Sequence, residues 1–227
     1  LAHLLQAVPA IIASFVLAIP IARLARVARP LRALLVTGSS LLYAVPSLAL
    51  FVILPIILAT GIRDPLNVIV ALTLYGLALL VPATADALDA VDARVLDAAT
   101  AMGMGRLRCF LTVELPLAGP AILTGLRVVT VSTISLTTVG AVLGVRSLGW
   151  LFTDGFQRGI TAEIVTGLVA TAALALVLDG LVLALGRLCL PWTWKRAGAT
   201  GQVLEADGAS AAGGREDNGR EKRETES

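Results

Sequence analysis

The sequence predicts an all-α, polytopic membrane protein with about five transmembrane helices and one long polar loop on the cytoplasmic side. Three observations carry that expectation. The chain is 57% hydrophobic and 15% charged, with a mean hydropathy of +0.87, whereas an ordinary soluble domain has about 25% charged residues. It contains five apolar stretches near the roughly 20 residues that cross a bilayer. Its arginines are concentrated in alternate connecting loops.

Residues 4–22 form the first span. It is too long for a cleaved signal segment and has no basic flank before it, which predicts an anchor that stays. Pro9 and Pro20 lie near its ends. Arg23, Arg26, Arg29 and Arg32 follow, around Pro30. Residues 34–60 form the second span, with Pro46 and Pro55 inside it, which predicts a broken or kinked helix whose freed carbonyls are satisfied by neighbours. Residues 61–65 make a tight turn, and residues 66–85 the third span. Residues 86–120 form a long polar loop, residues 121–145 the fourth span, residues 146–162 a second loop, and residues 164–188 the fifth span. Trp192 and Trp194, after Pro191, read as interfacial anchors. Residues 1–197 are then the transmembrane domain. Residues 198–227 are poor in large apolar residues and predict a disordered cytoplasmic tail.

The loops after spans one, three and five carry Arg23 to Arg32, then Arg94, Arg106 and Arg108, then Arg187, Lys195 and Arg196. The alternate loops carry Arg63, and Arg146 with Arg158. Basic loops stay in the cytoplasm. The N-terminus is therefore expected outside and the C-terminus inside, with the long loop cytoplasmic. Cys109 and Cys189 both fall on that side and read as free thiols.

Within the long loop, residues 93–104 favour a helix. Gly103 and Gly105 interrupt it, and Pro116 and Pro120 are expected to stop a second short helix. Asp97-Ala98-Ala99, three residues, Gly103, nine residues, then Val113-Glu114-Leu115-Pro116 resembles the Glu-Ala-Ala signature of bacterial ABC importer permeases, with Asp97 for Glu and Val113 for Ile. The resemblance extends over about residues 4–190. Val45 to Leu50, Leu54-Pro55, Gly61, Leu74-Tyr75, residues 103–106, Gly125-Leu126-Arg127, Gly144 and Leu148-Gly149 are similar to the permeases for glycine betaine, choline and related osmoprotectants. Tyr43 stands where that group often has Gln, and Pro82-Ala83 where it often has Arg-Asn.

The resemblance implies the permease subunit of an ATP-driven importer in the bacterial cytoplasmic membrane. Its solute would be a quaternary-amine osmoprotectant such as glycine betaine, choline or carnitine. Asp97, Ala98, Ala99, Gly103, Leu115 and Pro116 would couple it to ABC ATPase subunits. A second permease subunit, identical or a sister, and an extracytoplasmic solute-binding protein would complete the assembly. Gly103 would let the ATPase approach the backbone closely, and Asp97 would sit early on its helix, where a carboxylate is favoured. ATP and Mg would belong to the ATPase, because this chain has no G-x-x-x-x-G-K-[ST] loop; no cofactor is expected on the chain itself. Two other readings stand beside this one: a permease for amino acids such as methionine, and a non-transporting polytopic scaffold or sensor.

Inside the spans, Thr130, Thr133, Thr137, Gly140 and Gly144 share one helical face. They read either as tight helix packing or as part of a path for a polar solute. Arg127 is expected to snorkel to the inner interface. Asp179 lies deep in span five and is functional by default, or else is bonded within the bundle or paired with Arg187. His3 is expected to be exposed. One histidine and two separated cysteines do not make a metal site. No nucleophile–base pair or basic, aromatic-laced patch points to an enzyme or to nucleic-acid binding.

Overall fold

A computed structural model describes residues 1–191. Trp192, Trp194 and the tail lie outside the described residues. All regular elements among the described residues are helical: α1 (Ala2–Val27), α2 (Arg29–Ala44), α3 (Ser47–Leu58), α4 (Pro65–Asp89), α5 (Ala93–Ala101), α6 (Arg106–Cys109), a π turn (Phe110–Glu114), α7 (Leu115–Thr137), a 3₁₀ segment (Thr138–Leu143), α8 (Trp150–Arg158) and α9 (Thr161–Cys189). Among the described residues four helical runs are long and apolar enough to cross a membrane, and Arg32–Ala44 of α2 with α3 makes a fifth if that bent pair is one span.

The bundle is organised around α4, which packs most extensively on α1 and then on α7 and α2. Small residues make the central contact possible. Ala7, Ala10, Ser14, Ala18, Ala22 and Ala25 recur at helical spacing on α1 and are all buried, so the backbones approach closely, as small residues permit between membrane helices. Gly76 of α4 is the tightest point: a methyl group there would lie 2.7 Å from Ser14 Cβ and strike its hydroxyl. Ser14 Oγ sits 2.7 Å from the Ala10 carbonyl and 3.2 Å from that of Thr73. Larger side chains fill the space beside this seam. Phe51 and Leu54 of α3 pack with Val68, Ala71 and Leu72 of α4, and Val129 of α7 with Leu80 and Val81.

The α2–α3 pair bends at Pro46. The Pro46 ring disfavours a helical Val45; Val45 is extended, and α2 and α3 diverge by 107°. The Val45 carbonyl freed by the break accepts a 2.6 Å hydrogen bond from the Tyr75 hydroxyl of α4. The membrane's demand that backbone groups be satisfied is thus met by a neighbouring helix. Tyr43 stands edge-on to Tyr75, 6.0 Å between ring centres. The expected turn after α3 is present, with the Asp64 carboxylate capping α4 through the Leu66 N–H at 2.9 Å.

Two expectations change. Pro116 and Pro120 do not stop a short helix: α6 runs through the π turn into α7, and Pro116 sits in the first turn of α7 with Pro120 inside it. The π turn explains this. The Leu115 N–H bonds back to Phe110, and the added residue in that turn shifts the register just before a proline that has no N–H to give. His3 is buried, not exposed, at 3% accessibility, because α1 is tucked against the segment before α8. His3 Nδ1 accepts from the Leu148 N–H at 3.3 Å, and Gln6 donates to the Arg146 carbonyl at 2.8 Å.

Candidate functional site

The hairpin between α4 and α7 is built by local capping rules. The Asp92 carboxylate caps α5, accepting from the Arg94 N–H at 2.9 Å, and its own side chain is held by the Arg94 guanidinium at 2.9 Å. That guanidinium, and then the backbone N–H, hold the Asp92 carboxyl below the usual carboxylate range. The far end of α5 is closed by Gly103, at φ +82°. The Met104 N–H reaches the Ala99 carbonyl at 3.2 Å and the Gly103 N–H reaches that of Thr100 at 2.9 Å, the paired bonds of a glycine-terminated helix. A β-carbon at Gly103 would meet no atom of the described residues within 4 Å, so the turn leaves open space above its backbone.

The signature residues divide into two sets. Asp97, Ala98 and Gly103 are exposed, while Ala99 is buried. Leu115 packs against the cluster of Ala22, Leu88, Phe110 and Ile122, anchoring the return of the chain into α7. Pro116 is partly buried beside it. Asp97 is the fifth residue of the nine in α5. The carboxylate at the positive end of α5 is therefore the capping Asp92, which corrects the expectation for Asp97.

Behind the hairpin is an ion network not anticipated from the sequence. Glu114, inside the signature, pairs with Arg26 at the end of α1. Arg26 also reaches Asp89 at the end of α4 at 3.4 Å, and Asp89 pairs with Arg32 at the start of α2. Arg23 lies over the Phe110 ring, 4.1 Å from its centre. Three helix ends and the π turn are thereby tied together. The available signal was Glu114, an acidic residue in a run otherwise rich in arginine, among the last turns of adjacent spans.

A second pair crosses the bundle. Arg127 of α7 grips Asp179 of α9 with two hydrogen bonds, Nε to Oδ1 at 2.8 Å and a terminal nitrogen to Oδ2 at 2.6 Å. Arg127 therefore does not snorkel away, and the partner of Asp179 in the bundle is Arg127. Opposite charges deep in two successive spans were the signal, since a fork-to-fork pair satisfies both where neither could stay alone. Thr130, Thr133 and Thr137 are buried at 0, 2 and 0% exposure. The hydroxyls of Thr130 and Thr137 donate to the carbonyls four residues before them, at 2.8 and 2.6 Å. These positions have the surroundings of packing residues. At the end of the bundle away from the hairpin, an open cavity of about 1120 Å³ is lined by Arg63, Arg146, Ser147, Trp150, Asp154 and Gln157.

The comparisons with known proteins agree with this architecture. Residues 10–193 match the family model described as the binding-protein-dependent transport system inner membrane component. The choline transport system permease protein OpuBD of Bacillus subtilis is 30% identical over 87% of this chain and 86% of its own length. The osmoprotectant import permease protein OsmY of Salmonella typhimurium is 34% identical over 65% of this chain and 61% of its own. The ergothioneine transport permease/ergothioneine binding protein EgtU of Helicobacter pylori is 33% identical over 66% of this chain, which spans only 27% of that longer protein. Among solved structures, an inward-facing MetNI methionine ABC transporter covers 84% of this chain with a TM-score of 0.68 at 20% identity, which shows a shared fold. A helical bundle broken in its second span, a glycine-closed hairpin that carries the signature, and a family model spanning most of the chain converge: this protein belongs to the binding-protein-dependent transport system inner membrane components.

Proposed function

We propose that this chain is the permease subunit of an ATP-driven importer for quaternary-amine osmoprotectants, such as glycine betaine, choline or carnitine. The observation that carries the coupling half of this reading is the exposed turn at Gly103. It combines a positive φ, open space above the backbone and the flanking exposed Asp97 and Ala98, a surface into which a partner's side chains can fit. The solute half rests on the relatives: transport proteins for choline and for osmoprotectants align over most of the chain.

In this reading the hairpin end lies in the cytoplasm, where it gathers Arg23, Arg26, Arg32, Arg94, Arg106 and Arg108, in line with the tendency of basic residues to remain inside. ABC ATPase subunits on separate chains supply ATP and Mg and dock on α5 and the turn. The opposite end, with its Arg63 and Trp150 cavity, faces the solute-binding protein. The exposed apolar residues of α3, Val52, Ile53, Ile56 and Ile57, are covered by lipid or by a second permease subunit. The network of Glu114, Arg26, Asp89 and Arg32 makes the hairpin rigid with α1, α2 and α4, so a push on α5 moves several spans together. A path past Thr130, Thr133 and Thr137 then requires α7 to part from its neighbours during that movement.

The test is capture of the ATPase. A tagged permease purified from its native membrane brings down a P-loop ATPase, and the Gly103→Asp form, which keeps the turn because Asp tolerates a positive φ, inserts normally but loses that ATPase. Equal capture by both forms removes the docking site from the turn.

A further inference from the structure

Between the last turns of α1 and the hairpin lies a cavity of about 370 Å³, whose lining includes Arg23, Arg26, Val27, Arg106, Phe110 and Glu114. Its charge is not balanced. Arg26 is neutralised by Glu114 and Asp89, but among the described residues neither Arg23 nor Arg106 has a carboxylate partner. Arg23 uses the face of its guanidinium on the Phe110 ring, which leaves its N–H edges free to donate. Planar guanidinium edges suit the paired oxygens of a phosphate. The flank beside the cavity is apolar: Leu24 and Val27, one turn apart on α1, are 51% and 73% exposed. A free phosphate ion would have no use for that flank, whereas an acyl chain would lie along it.

We propose that this cavity holds the headgroup phosphate of an anionic phospholipid, gripped by Arg23 and Arg106, with an acyl chain along Leu24 and Val27. Basic pockets between helices at a membrane surface recognise anionic headgroups in this way. Leu96, Thr100 and Met104 form the hairpin side of the cavity, so the lipid braces α5 against α1 from behind, away from the exposed Gly103 turn. The site would make the stiffness of the hairpin depend on the anionic lipid content of the membrane. The inference goes beyond the transport reading and needs only that this end of the bundle lies at the membrane surface.

The experiment is native mass spectrometry of the purified full-length permease, equilibrated with mixed phosphatidylglycerol and phosphatidylcholine. The wild type should retain phosphatidylglycerol preferentially. Arg23→Gln with Arg106→Gln should weaken that preference roughly tenfold or more, since each basic residue at the surface contributes separately. The corresponding double Lys variant should fall between the two, since it keeps the charge but loses the paired guanidinium donors, and Arg94→Gln with Arg108→Gln, outside the cavity, should leave the preference unchanged. Should the double Gln form fail to fold, the single Arg106→Gln, an exposed side chain, should still reduce the preference. Equal retention by wild type and the Gln variants overturns the proposal. Displacement of the lipid by excess inorganic phosphate would assign the site to a free anion and overturn the lipid occupant. Because retention is read without transport, its failure leaves the transport reading untouched, and a permease that moves no solute can still pass this test.

Discussion

Gly103 is held to glycine by its backbone angle and not by crowding. A β-carbon at φ +82° costs about 1–2 kcal/mol for most residues, yet it meets nothing among the described residues. Gly103→Val should therefore loosen the end of α5, seen as faster hydrogen exchange at the position-103 and Met104 amides, whereas Gly103→Asn should leave exchange near wild type. Equal exchange in both would show that the turn is not what holds α5. Arg127 and Asp179 set a different kind of constraint. Stranding one partner of a fully buried pair costs about 3–5 kcal/mol, an upper bound here because the side chains are 39% and 19% exposed on the protein. Asp179→Asn and Arg127→Gln should each lower the thermal midpoint, and the double variant should recover part of the loss. Strict additivity of the two would mean that the pair does not couple α7 to α9. Asp97 and the three threonines were legible as positions in the sequence. Their environments were not, because burial within a bundle depends on which helices meet, and a single sequence states only periodicity.

At the scale of elements, the α1–α4 seam depends on small side chains in register. Gly76→Leu should disrupt it, at the roughly 1–3 kcal/mol or more of an overpacked core, with a lower yield of folded protein. Gly38→Leu in α2, where an added β-carbon meets nothing within 4 Å among the described residues, should be tolerated. Similar losses at both positions would contradict the packing account. The break in the second span was legible because Pro46 acts on its own neighbour through local sterics, and the carbonyl it frees found its partner in Tyr75 as expected of a membrane helix. The continuity of α6 into α7 was not legible. Pro116 and Pro120 each read as a stop, and the π turn that carries the chain past Pro116 has no residue signature of its own. His3 was misread for a related reason: a polar residue near a chain end is exposed only if nothing folds over it, and the segment from Arg146 to Leu148 does.

For the whole molecule, the apolar spans and the arginine-rich end were readable because they rest on summed composition, which individual misreadings do not disturb. The ion network at that end was not, since it joins residues far apart in sequence: Arg26 with Asp89 and Glu114, and Arg32 with Asp89. It makes the hairpin part of the bundle, which an importer driven from the cytoplasm requires. The proposed coupling and solute path draw on no residue after Lys195, so truncation there should leave transport intact at normal protein levels. Loss of uptake without loss of protein would assign the tail a regulatory part. The most direct measurement is uptake of labelled glycine betaine and choline, with methionine as the control, in cells with and without the gene at low and high osmolarity. Betaine or choline uptake should be lost on deletion and restored by the wild-type gene but not by its Gly103→Asp form. Unchanged betaine and choline uptake, with methionine uptake lost instead, would contradict the assigned solute class.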